Sequence, residues 1–439
     1  METNNTSSAP GAGPDPRAQR AALLRNPAVR WLMAGSAISL LGDQFTLIAL
    51  PWAVLTLTRD PLTLGLVTAM VGVPRAAFIL IGGAFVDRHS PKRVLMLTKH
   101  ANTVLLALLA AGMLGGWMSL PLLCALALGI GLAAAFSIPA GSAMLPQVVA
   151  PAQLPAANGL LMGLRQLSMF AGPLLAALMM AALGRLLPER GDAPGLALAF
   201  GLDALSFALS AWTLARVSTR PVEAPSRQAV LQAVAAGLRH CWADRPLRNF
   251  LLYGALVSLM IAGPVQIALP LLASGTPGLG ASAFGLLVGL HGAGTLLGLT
   301  VAGARPHWRL GTLGLTVLGI DAIVGLLFMP LGRIASVWQG AALLLPIGVL
   351  GGFVQVMVFS WLQRRVAPAM MGRAMSLFMF IFVGLAPLSA AATGGLMRWV
   401  SPATVFTSAG LLLVGIVMLS LLPAGGMRGM DEARPVPLR

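Results

Sequence analysis

Apolar runs of about 20 residues recur along the whole chain, separated by short polar segments that carry most of its charge. Coiled as a helix, such a run is about 30 Å long, the thickness of a bilayer's hydrocarbon core. A helix also satisfies its backbone N–H and C=O groups internally, which lipid requires. The pattern predicts twelve spans, near 31–57, 62–86, 94–116, 119–140, 158–183, 195–216, 247–272, 282–303, 310–331, 336–361, 374–398 and 403–422. Residues 217–246 form the one long internal connector and divide the spans six and six. The expected fold class is an all-α polytopic membrane protein with twelve transmembrane helices in two six-helix halves. Its expected parts are a disordered N-terminus (1–30), a first half (31–216), a linker (217–246), a second half (247–422) and a tail (423–439). Within the linker, Val230, Val234, Leu238 and Trp242 lie at helical spacing and predict a short helix on the membrane surface.

Composition agrees with the pattern. Of 439 residues, 57% are apolar and 10% charged, with mean hydropathy +0.85; a soluble domain carries about 25% charged residues. The start, Met1 to Pro16, is polar and carries no signal peptide. Cys124 and Cys241 are far apart, so neither a disulfide framework nor a metal site is expected, and no cofactor.

A net charge of +16 would suggest nucleic acid in a soluble chain. Here its distribution excludes that. With an even number of spans both termini lie on one side, and most cations gather there: Arg17 to Arg30, Arg88, Lys92, Arg93, Lys99, the linker arginines, Arg305, Arg309, Arg364, Arg365, Arg373 and the tail. The other side holds Arg59, Arg185, Arg190, Arg333 and Arg398. The positive-inside rule then predicts cytoplasmic termini in an inner (plasma) membrane. The excess charge is topology and contact with anionic lipids.

Between the second and third spans, Gly82-Gly83-Ala84-Phe85-Val86-Asp87-Arg88-His89-Ser90-Pro91-Lys92-Arg93 packs an acid and fixed cations into a tight hairpin. Charges that dense belong at a membrane surface. The stretch resembles the signature loop of the major facilitator superfamily, Gly-x-x-x-Asp-Arg followed by a basic pair, matched by Gly83, Asp87, Arg88, Lys92 and Arg93. Ser90 and Pro91 stand where that pattern has a small and then a basic residue. The equivalent loop of the second half, Gly303 to Arg309, keeps the basic residues and lacks the Asp. Span 5 resembles the superfamily's exporters, with Gly159, Ser168 and Gly172-Pro173 followed by Ala176 and Ala177. Physically, small residues admit a neighbouring helix and Pro173 removes one backbone bond. Phe136 to Ala140, Ala143 to Pro146, Leu154, Ala157-Asn158, Leu202 to Phe207 and Gly372 to Met375 are similar to a subgroup of macrolide-efflux and enterobactin-export proteins. Many of the superfamily's drug–proton antiporters carry an Arg in span 4 that is Ala125 here, so coupling through that residue is excluded.

Ionisable groups within spans are costly and are functional candidates by default. Asp43, Asp203 and Asp321 are the coupling candidates, since an acid kept from bulk water can carry a proton between the two faces. Asp43 leads, flanked by Gly42 and Gln44 near mid-span. Arg75 and Arg165 are the intramembrane cations, each either partner to a buried Asp or a docking point for an anionic substrate. His291 reads as a hydrogen-bonded packing residue. Met70, Met169, Phe170, Phe359 and Trp361 are candidates to line an adaptable cavity.

With no phosphate-binding loop and no catalytic constellation, an ATPase or other enzyme is not expected. The expected function is secondary export of small hydrophobic or siderophore-like molecules by alternating access, coupled to protons, by a monomer. Lysophospholipid flipping or solute uptake is the alternative on the same fold, and a non-transporting receptor or assembly factor the alternative of another class.

Overall fold

The computed structural model describes residues 23–220, 238, 239, 241–305, 307–422 and 427, and for 79–85, 87, 88, 368, 369, 372, 373 and 376 the backbone alone. The start expected to be disordered over 1–30 is corrected for residues 23–30, which are helical, with Leu23 and Val29 buried; residues 1–22, most of the linker helix and all of the tail but Met427 lie outside the described residues.

Among the described residues, twelve helical segments are long and apolar enough to cross a membrane, one for each predicted run. They are α1 (Pro27–Thr58), α2 (Pro61–Arg88), α3 (Pro91–Gly115), α4 (Leu120–Val148), α5 (Leu154–Leu186), α6 (Ala193–Ala215), α7 (Arg245–Gly275), α8 (Ala281–Ala304), α9 (Leu313–Arg333, its last turn 3-10), α10 (Val337–Arg365), α11 (Pro368–Leu396) and α12 (Pro402–Leu421). Helices α4 and α10 run several residues beyond the predicted ends, out of the apolar run and into the polar flank. The starts follow from local chemistry. Asn26, Asp244, Thr312, Ser336 and Ser401 each accept a backbone N–H at a helix N-cap. The charged hairpin closes differently: Ser90 is the extended N-cap residue of α3 without a side-chain cap bond, and Pro91 is its first helical residue.

The hydrophobic core has three parts. The largest runs through both halves at the side away from the termini, from Phe45 to Leu55 of α1 to Phe406 of α12. On the terminal side the core splits. One cluster, including Val29, Val86, Val94 and Met144, belongs to α1–α6. The other, including Phe250, Trp361, Leu362 and Phe378, belongs to α7–α12. Among the described residues the halves thus share one core at the far side and have separate cores at the terminal side, with a cleft between these.

Two seams make the joint. Helix α2 lies on the second part of α11, where Gly72 faces the Pro387 ring with no room for a Cβ. Helix α5 lies on α8, with Gly285 against the Pro173 carbonyl and Gly292 against that of Met169. An ion pair from Arg398 to Asp60, at 3.2 Å, spans the halves beyond these seams. Further toward the terminal side, Gly159, Gly163 and Gly303 meet no neighbour within 4 Å among the described residues. Helices α7 and α11 each contain one π-helical turn, Pro264–Ala268 and Phe380–Gly384. Such turns loosen the backbone ladder where a helix bends.

Candidate functional site

Asp43 sits near the middle of α1, and Gly42 beside it packs so closely on Asp203 and Ser206 of α6 that no side chain would fit there. That contact brings two carboxylates into one electrostatic field, Asp43 on the cleft side and Asp203 behind it. Asp203 is buried and satisfied: it accepts the Thr46 hydroxyl, and the Ser206 hydroxyl at 3.1 Å. Asp43 keeps exposed surface at this depth and makes no hydrogen bond or ion pair among the described residues. It feels instead three cations from three helices: Lys99 of α3, Arg165 of α5 and Arg75 of α2.

Those cations are not alike. Lys99 is buried, donates to Ser210 Oγ at 2.5 Å, and lies 5.6 Å from the centre of the Phe207 ring. Ser210 passes the contact on by donating to the Gly35 carbonyl at 2.7 Å. Lys99 therefore corrects the reading that counted it with the surface charge, since it is an intramembrane cation. Its position inside an apolar period was the signal available in the sequence. Arg165 is exposed and Arg75 partly so, and each senses Asp43 rather than touching it.

The span-5 motif positions this cluster. Gly172 lies against the Gln44 side chain of α1 and Pro173 against α8, so the pair sits where α1, α5 and α8 meet. Gly159 faces open space.

The second half is organised differently. Asp321 of α9 accepts the Tyr253 hydroxyl of α7 at 2.5 Å, and the Tyr253 ring is buried. His291 of α8 approaches the Leu344 carbonyl of α10 at 3.4 Å, a contact between packed helices. Of the residues expected to line a cavity, Met169 is exposed, whereas Trp361 is buried against Phe250, with ring centres 5.5 Å apart. Trp361 is corrected to core: its ring fills the terminal-side aromatic cluster, and its indole N–H has no partner among the described residues.

In the charged hairpin, Lys92 donates to the carbonyls of Ala215 and Val217 at 3.2 and 2.7 Å, holding the end of α6. Arg93 is exposed. The side chains of Gly83, Asp87 and Arg88 lie outside the described residues, as do those of Gly372 and Arg373. Sequence reading missed a terminal-side clamp in the second half, where Arg365 donates Nε and Nη2 to the Asp244 carboxylate at 2.6 and 2.8 Å, both side chains buried. Nothing in the sequence pairs residues 121 positions apart.

A family model for the Major Facilitator Superfamily matches residues 32–391. An uncharacterised transporter of that type from Sinorhizobium fredii, y4rN, is 27% identical over 415 residues, which cover 91% of this chain and 96% of the relative. The enterobactin exporter EntS of Salmonella choleraesuis is 25% identical, over 94% of this chain and 96% of its own. Among solved structures, a bacterial homologue of the iron transporter ferroportin in an inward-facing state superposes with a TM-score of 0.69 at 20% identity, covering 90% and 98% of the two chains. An autoinhibited peptide transporter of the POT family gives 0.71 at 14% identity, covering 93% and 99%. These relatives are transporters rather than enzymes.

Proposed function

The chain belongs to the Major Facilitator Superfamily, and we propose that it exports small, largely hydrophobic or siderophore-like molecules by alternating access, coupled to protons. One observation carries the reading: Asp43, a mid-span acid with no hydrogen bond or ion pair among the described residues, lies in the field of Lys99, Arg165 and Arg75, beside the cleft between the two terminal-side cores. Substrate sites of such bundles lie near the midplane between the halves. An acid that meets water in one state and packed protein in the other couples protonation to conformation, because each state favours one form. The cationic excess on the terminal side supports placing that side in the cytoplasm, where the cleft takes up its cargo. Export is supported by the span-5 motif at the α1–α5–α8 junction and by the likeness to EntS.

The opposite state needs a latch on the terminal side. Asp87, at the end of α2, is suited to accept N–H groups from the start of α11 near Gly372–Met375. Replacing Asp87 by Asn is expected to slow transport without lowering membrane expression, and normal transport would remove the latch.

The export reading is tested in proteoliposomes holding purified protein, with an imposed pH gradient and enterobactin, a macrolide and a fluorescent dye as cargoes. Gradient-driven accumulation of any of them, with proton movement recorded by a pH dye inside the lumen, supports coupling. Movement that ignores the gradient makes the protein a uniporter. Accumulation only in the direction of proton flow makes it an uptake system.

A further inference from the structure

We infer that the cleft binds an anionic group of its substrate on Arg75 and Arg165, so that the cargo is an amphiphile with an apolar body and at least one carboxylate, catecholate, sulfonate or phosphate. The inference deepens the export reading and rests on it for the word substrate, though not for the binding. Four observations meet here. Arg165 is exposed in the middle of a helix otherwise suited to lipid, and Arg75 lies within its electrostatic reach. Arg165 lies two helical turns before Gly172, whose face packs on Gln44 of α1, and Arg75 lies one turn after Gly72, whose face packs on Pro387 of α11, so both side chains belong to the interior faces of α5 and α2. Neither makes a hydrogen bond or ion pair among the described residues. The remaining charges do not neutralise them.

The balance can be followed group by group. Behind the cleft surface, Asp203 is held by the Thr46 and Ser206 hydroxyls, while Lys99, bonded to Ser210, already sets one positive charge against Asp43. At the surface, two guanidinium groups face one carboxylate. A charged side chain at membrane depth costs roughly 2.5–3.5 kcal/mol or more, so two like charges brought together need a return. An incoming anion supplies it. Guanidinium groups present planar pairs of donors that match the oxygens of a carboxylate or phosphate, and a bound anion would use both. The neighbouring Met169 and Phe170 of α5 give apolar surface for the rest of such a molecule. Had the arginines served only to neutralise Asp43, one would suffice, and it would lie in contact with the acid.

Two probes with one ring skeleton separate charge from hydrophobicity: 1-anilinonaphthalene-8-sulfonate, which is anionic, and N-phenyl-1-naphthylamine, which is neutral. Binding is measured by fluorescence titration of the full-length protein in phosphatidylcholine nanodiscs, with empty nanodiscs subtracted. The wild type is expected to bind the sulfonate at least about tenfold more tightly than the neutral probe, a difference equal to one charge-assisted contact. Arg165→Gln and Arg75→Gln should each remove most of that preference while leaving the neutral probe's affinity within about twofold. Arg165→Lys, which keeps the charge and loses the fork, should fall between. Asp43→Asn, which removes the competing carboxylate, should bind the sulfonate more tightly. Unchanged thermal unfolding of each variant shows that the bundle is intact, and Arg165→Lys serves if the Gln variants unfold. Equal affinity for the two probes, or a sulfonate preference that survives both Gln substitutions, overturns the inference. Arginine-dependent sulfonate binding in a protein that moves no cargo would leave the site standing and sink the export reading instead.

Discussion

The two halves of this bundle place opposite charges at matching points. Lys99 lies nine residues beyond Ser90, the N-cap of α3, and Asp321 lies nine beyond Thr312, the N-cap of α9. Their contacts match as well: Gly35 and Tyr253 each stand nine residues beyond the N-caps Asn26 and Asp244 of α1 and α7. In the first half the α1 position has no side chain, so Thr213 and Ser210 of α6 fill the space, and Ser210 links the Lys99 ammonium to the Gly35 carbonyl. In the second half the Tyr253 ring fills it and gives its hydroxyl directly to Asp321. What the halves share is a polar tie between first and third helices at one depth. The residues that make the tie were free to change, sign included, because each half needed only to satisfy its own buried group. The remaining charges then differ in use. The second half pairs its acid and closes on it. The first leaves Asp43, Arg75 and Arg165 without a hydrogen bond or ion pair among the described residues.

That contrast is most sharply tested at the acids. Asp43→Asn is expected to lower pH-gradient-driven transport by more than about tenfold while substrate still binds, whereas Asp321→Asn keeps most of the coupling. The paired measurement is cargo flux and proton flux in the same vesicles. The reverse order would move the coupling site to the second half, and an unchanged Asp43→Asn would remove that residue from the mechanism.

The terminal-side clamps are the second point of comparison. In the second half the α7 cap and the α10 end share a buried bidentate ion pair, Asp244 with Arg365. In the first half the equivalent tie is neutral and long, Asn26 Nδ2 to the Val148 carbonyl at 3.5 Å. Asp244→Ala should destabilise the fold by roughly 3–5 kcal/mol, because it leaves a buried guanidinium unpaired. Asn26→Ala should cost about 1 kcal/mol, the worth of a helix cap. Unfolding in detergent ranks the two, and the double variant Asp244→Leu with Arg365→Met should recover much of the loss.

A smaller effect is expected at Tyr253. Tyr253→Phe keeps the ring and removes the donor to Asp321, at a cost of about 1–3 kcal/mol. A neutral outcome would mean that water replaces the hydroxyl, and the match with Lys99 would be one of layout alone.

The smallest effect belongs to the bridge across the halves. The Arg398 guanidinium beside Asp60, with the Thr63 hydroxyl, lowers this carboxyl from its ordinary 3.8 to about 2. Its contribution is therefore constant above about pH 4 and is lost as pH falls toward 2. The pair is half-exposed at Arg398, so Asp60→Asn should cost no more than about 1 kcal/mol. It should nonetheless raise labelling of a cysteine placed beyond the seam between α2 and α11. Labelling that stays at the wild-type level would show that the glycine seams alone hold that side shut.

Much of this architecture is legible in the amino-acid sequence. Twelve apolar runs become twelve helices, because in lipid the length and polarity of a run decide its conformation with little help from neighbours. Asp43, Asp203, Asp321, Arg75 and Arg165 stand out as candidates for the same reason, since a charge inside an apolar run is conspicuous. Sequence misplaces Trp361 and Lys99, and the two errors share a cause. An aromatic residue is equally at home in a core or at a cavity wall, and a lysine near a helix end is equally at home in water or inside.

Sequence alone, then, determined the class of the molecule, its number of spans and, Lys99 apart, which charges lie at depth, because those properties follow from the cost of polarity in hydrocarbon. Tertiary structure decided which of those charges meet. Asp203 is satisfied by Thr46 and Ser206, Asp321 by Tyr253 and Asp244 by Arg365, each across an interhelical contact fixed by packing rather than by spacing along the chain. Only when those pairs are made does it emerge that Asp43, Arg75 and Arg165, all of the first half, are left over among the described residues.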